Sequence, residues 1–261
     1  VTISDDSTWD GASSTDTDDT GNVDDLTIST TAGGILTLNI NANEDAVTHV
    51  ATVVGSGTTD IDGAAEITIN SKNSDSNDIV NDVTALEIDD TETTKLTLVA
   101  EDSAGLDVGN ITASSALQTL TMSSAAGAAS IIGTAVDIEN LQVLSLTSTG
   151  ASSSLTVADL GGTTDGQLTS LTISAGDSST TTIGDIGSDQ SSTVTSFSIA
   201  ATGANSTIDM TADTSITFGT GTITSGSINI ADNSSLLFDA QSVTSGTITS
   251  MGFTFGDYST I

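Results

Sequence analysis

The chain has 261 residues, 35 acids against 2 Lys/Arg, a formal net charge of −33, 3% aromatic residues, and neither Cys nor Pro. That charge excludes nucleic acid and anionic membrane surfaces as partners, because both would be repelled. Without Cys there is no disulfide and no thiolate metal or redox site, and no stretch approaches the roughly 18 apolar residues of a membrane helix.

The absence of Pro suits continuous ladders of backbone hydrogen bonds. A core drawn mostly from Ala, Val, Ile and Leu suits a thin, layered structure. Asp outnumbers Glu heavily, which points to turns and oxygen-ligand sites, where a short side chain is useful. No basic segment followed by an apolar one opens the chain, so Val1 is read as the start of a mature chain or of an excised segment.

Residues 1–82 read as an N-terminal Asp-rich β region with an irregular repeat. Within DTDDTGNVDD, Asp16, Asp18 and Thr20 stand at positions 1, 3 and 5 of a calcium loop, Gly21 at 6 and Asp24 at 9. Thr27 occupies the place of the bidentate Glu, so the segment is a generic Ca²⁺ site or a solvated acidic loop, not an EF-hand. VDDLTI from Val23 is the first strand-like hexapeptide, and residues 41–82 follow the template poorly.

Residues 83–261 carry a regular β-repeat continuous with the first region. The template apolar-x-x-apolar-x-apolar reads VTALEI from Val83, LQTLTM from Leu117, LQVLSL from Leu141, LTSLTI from Leu168 and VTSFSI from Val194. It continues, degraded, as ITSGSI from Ile223 and ITSMGF from Ile248, at successive offsets of 34, 24, 27, 26, 29 and 25 residues. A second motif lies between copies: LDVGNI from Leu106, LTVADL from Leu155 and TTIGDI from Thr181.

The alternation has the strand period of two, not the helical 3.6. The intervening AGDSS, TGANS and ADNSS are turn text, since Gly permits positive φ and Asn and Asp bond their own backbone. The fold class is therefore all-β: a β-solenoid, parallel β-helix-like, with coils of about 26 residues. An antiparallel β-sandwich is the alternative, strongest for residues 1–82.

Asn110, Asp159 and Asp185 share one position of the second motif, with Asp177 and Asp189 among the neighbouring corner acids. Stacked carboxylates repel and favour cations between coils; the competing reading is that each caps a turn. The Ca²⁺ candidates are Asp16, Asp18, Asp24, Asp159, Asp177, Asp185 and Asp189. His49, the one histidine, cannot anchor a transition metal alone. T-x-T at Thr180–Thr182 and Thr220–Thr222 does not recur at one coil position, so no ice-binding threonine array is expected.

No G-x-S-x-G or triad is present, and two lysines supply little for lyase chemistry, so no enzyme is expected. The apolar, strand-like GFTFGDYSTI lacks a polar cap and is the expected subunit contact.

The V-T-x-L-x-I strands in Ser/Thr/Ala/Gly/Asp-rich text, without Cys, resemble the RTX-related surface-layer (S-layer) proteins of Gram-negative bacteria, in the style of the Caulobacter-type β-solenoids. The resemblance covers residues 83–255 and, loosely, 1–82. The GGxGxD nonapeptide is absent, its nearest fragments being LGGTTDG at 160–166 and IGDIGSD at 183–189, so no ligand residue is carried over. The resemblance implies secretion to the cell surface, Ca²⁺-dependent folding and self-assembly. The expected function is a structural protein forming a surface layer or extracellular filament, as a homo-polymer stabilised by divalent cations, with cell-surface polysaccharide as a further partner. The alternative is a stalk segment of a large secreted adhesin.

Overall fold

A computed structural model describes residues 2–4, 22–23, 26–42, 53–54, 59–73, 79–88, 91–101, 104–113, 116–125, 129–138, 140–157, 160–161, 168–184, 194–211, 222–238 and 247–261. Among them every strand pairing is parallel and no helix occurs. The strands stack as a β-solenoid with coils about 27 residues apart. The pairings within residues 1–82 are parallel as well, Thr2 with Asn39 and Leu26 with Thr59, which sets the sandwich alternative aside.

Each fully described coil has three sides. The first is a six-residue strand, as in Lys95–Ala100, Thr119–Ser124, Val143–Ser148, Ser170–Ala175, Ser196–Ala201 and Ser225–Ile230, and is continued by the second halves of the longer strands Leu26–Ala42 and Thr59–Asn73, whose first halves lie on the third side. The second holds the first halves of Ala104–Ala113 and Ala129–Ile138, then Ser154–Val157, Thr180–Ile183, Thr207–Met210 and Ser235–Phe238. The third holds the second halves of those longer strands and of Ile79–Ile88, together with Leu160–Gly161.

The alternation in sequence becomes an in–out alternation across the wall, as a period of two requires. On the first side Leu98, Met122, Leu146, Ile173 and Ile199 form one inward column, all buried. Each coil alone would leave these chains wet; the coil above covers them, and burying each stabilises by about 1.5–3 kcal/mol.

Two features of the repeat differ from the sequence reading. VTALEI from Val83 does not stack with LQTLTM. Val83 stacks with Val54 and Val108, and Leu86 with Ile111, on the second and third sides. The coil equivalent of Leu117 is Thr93, since Lys95–Ala100 pairs with Thr119–Ser124. The same hexapeptide pattern suits both sides of the coil, which is why the offset of 34 residues stood out.

The degraded copy at Ile223 has a packing reason. Gly226 sits over Phe197, and a Cβ on Gly226 would stand 2.6 Å from two ring carbons. The phenyl ring fills the volume that Leu fills in other coils, leaving room for no side chain above it.

The corner between first and second sides is built the same way five times. A residue with positive φ (Ser152, Ser178, Asn205, Asn233, Tyr258) is followed by Ser. Ser153, Ser179, Ser206 and Ser234 are buried. Ser153, Ser179, Ser206 and Ser259 donate to the carbonyl three residues back, at 3.1, 2.8, 2.9 and 2.9 Å. A hydroxyl beside its own turn carbonyl is satisfied without water, so a polar column can line a dry corner.

Candidate functional site: acidic corners and a hydroxyl-covered side

Of the predicted Ca²⁺ ligands, Asp16, Asp18, Asp24, Asp159, Asp185 and Asp189 lie outside the described residues, as do His49 and Trp9. Asp177 is exposed, immediately before the positive-φ Ser178, and its carboxylate accepts the backbone N–H of Ala204 at 2.9 Å, one coil on. Gly203 packs directly on Asp177, leaving no space for a Cβ. Asp232 repeats the device, accepting the N–H of Asp257 at 2.8 Å. Asp209 accepts the N–H of Thr211 at 3.0 Å and its hydroxyl at 2.8 Å, an Asx turn. These three carboxylates hold backbone donors of turns, and a carboxylate has lone pairs left for a cation beside such bonds.

Acids also fall in register across coils, Asp60 with Glu87 on the third side. Burial pushes the Asp107 carboxyl above the usual carboxylate range. Among the described residues no group of three or more His, Cys, Asp or Glu is placed to hold a metal ion.

The first side is different. Its outward middle column reads Thr37, Thr68, Thr97, Thr121, Ser145, Thr172, Ser198 and Ser227. From Thr119 to Ile230 the strands of this side contain no charged residue. Hydroxyls bond along the columns, Ser196 with Ser225 and Ser227 with Ser198, each at 3.2 Å. Against the sequence reading, T-x-T does recur at one coil position, Thr222–Thr224 standing in register with Thr247–Thr249, and mixed Ser/Thr at a fixed position extends along the first side. The sequence signal was the fifth place of the hexapeptide, read as strand polarity and not as a continuous surface.

Among the described residues, Met251–Phe255 pairs with Ser225–Ile230. Met251, Phe253 and Phe255 occupy the inward columns yet are 36%, 57% and 48% exposed. The two phenyl rings lie 6.2 Å apart at 19°. Tyr258, 88% exposed, turns the last corner.

Comparison of the chain with protein-family models, with curated proteins and with solved structures finds no match.

Proposed function

We propose that this chain is a non-catalytic structural solenoid of an extracellular surface layer or filament, that it self-associates, and that divalent cations, Ca²⁺ first, stabilise it. The observation that carries the reading is the β-solenoid itself, whose coils stack in parallel register with apolar side chains inside and Ser and Thr outside, and which offers no other chemistry among the described residues. A ladder of this kind is a template for another strand of the same kind. A heterologous contact of this type, repeated, generates an open polymer.

Three further points support it. The strand text resembles RTX-related surface-layer solenoids. Acids in register on adjacent coils, Asp60 and Glu87, repel unless a cation screens them. Secretion suits a Cys-free fold whose rigidity comes from its ladders.

The test is electron microscopy of the 261-residue chain beside the Phe253→Asp/Phe255→Asp variant. Both side chains are about half exposed, so the variant should fold normally. Polymers of the parent, shortened or abolished in the variant, support the reading. Single rods from both would instead favour an adhesin stalk segment.

A further inference from the structure

The three sides of the solenoid differ in charge. Outward positions of the second side include Asp107 and Asp209, and those of the third include Asp60, Asp62 and Glu87. Among the described residues, the strands of the first side from Thr119 to Ile230 carry no charge; nearer the start of the chain they carry Glu66 and Lys95, which pair at 3.4 Å, and Lys72, in register with Asn41. In a chain of net charge −33, this is the described side on which a second copy approaches with the fewest carboxylates in the way.

From this we infer that the first side is a lateral, face-to-face contact between two copies of this chain. The inference rests on the self-association proposed above and adds its direction: ends extend a filament, and this face joins filaments into a layer.

The dimensions fit. Six residues give a width of about 20 Å and eight stacked strands a length of about 38 Å, or about 750 Å² on each copy. Two such faces bury about 1,500 Å², the size of a standard specific interface. Apolar groups lie among the hydroxyls: Ile35, 74% exposed, heads the column of Glu66, Lys95 and Thr119, and Val143 continues it. The column bonds Ser196–Ser225, Ser198–Ser227 and Asn39–Asn70 already satisfy part of the hydroxyl and amide groups, which lowers their desolvation cost. Packed sheets stand about 10 Å apart, so carboxylates on the far sides lie beyond the Debye length of about 8 Å at physiological salt.

The experiment is made on the full chain carrying Phe253→Asp/Phe255→Asp, which isolates lateral contact from end-to-end contact. Sedimentation equilibrium should show a dimer, and Thr121→Glu/Thr172→Glu, two outward positions two coils apart, should weaken it at least tenfold with an unchanged melting curve. As a second readout, the chain is free of Cys, so Ser145→Cys should form an intermolecular disulfide on mild oxidation and Asp209→Cys, on the second side, should not. Dimers indifferent to the glutamates, equal cross-linking from both sides, or a monomer at every concentration would overturn the inference. A monomer that instead binds a neutral polysaccharide gel through Thr121 and Thr172 would also overturn it, and would assign the face to sugar. End-to-end polymers of the parent chain would still uphold the broader reading in each of these cases; their absence would sink that reading as well.

Discussion

Phe197 and Gly226 offer the sharpest test of coil-on-coil packing. Phe197 is 5% exposed in an inward column, and Gly226 lies on it. Phe197→Ala should cost about 3–5 kcal/mol, because the rigid coils around the ring can collapse little. Gly226→Leu should cost about 1–3 kcal/mol, because its Cβ alone would stand 2.6 Å from the ring. In the double variant the leucine enters the space the ring has left. The penalties should then fall short of their sum by about 1–3 kcal/mol, a coupling typical of direct contact. Urea unfolding followed by far-ultraviolet circular dichroism gives all four stabilities. Additivity within about 0.5 kcal/mol would refute the stacking of these two positions.

Other positions give independent checks. Ser179 is buried and donates to Gly176 at 2.8 Å and to Ser148 at 3.1 Å, so Ser179→Ala should lower stability in urea by about 1–2 kcal/mol, whereas exposed Ser178→Ala should not act through a lost hydroxyl bond. Among the described residues the buried Thr59 hydroxyl finds no hydrogen-bond partner, and it shares its column with Leu86, so Thr59→Val should raise the urea midpoint by the equivalent of about 1 kcal/mol; a loss would show that the hydroxyl is satisfied. Asp107 has its pKa raised by burial, so the folded state holds its proton more tightly than the unfolded chain does. Stability should therefore rise as pH falls through the raised value, with the gain complete below the ordinary carboxylate pKa, and Asp107→Asn should remove that part of the pH profile. Asp177→Asn keeps an acceptor for the Ala204 N–H and loses the charge, so thermal melts should change little without Ca²⁺ and should show whether Asp177 contributes to any Ca²⁺ response.

The alternation of apolar and polar residues was enough to read parallel coils, because LQTLTM, LQVLSL, LTSLTI and VTSFSI share one ladder. The turns AGDSS, TGANS and ADNSS were legible as turns. That their serines form a buried column was not, since a hydroxyl bonding its own turn looks in sequence like any exposed Ser. VTALEI was misplaced because one pattern serves two sides of the coil, and ITSGSI looked degraded because the residue that compensates it, Phe197, lies 29 residues earlier. Asp177 was legible as a corner acid, with capping and cation binding equally open; its bond to Ala204 emerges only when the next coil is in place. The hydroxyl-covered side was hidden for the same reason: coils of unequal length scatter its Ser and Thr along the sequence and align them only in space.

The central claim is a self-associating solenoid stabilised by divalent cations. Its most direct test is particle size and melting temperature of the 261-residue chain, measured together in millimolar CaCl₂ and in chelator. Growth into polymers with a higher melting temperature in Ca²⁺, both reversed by chelator, is the predicted result. Particles of single-rod size with the same melting temperature in both solutions would contradict it.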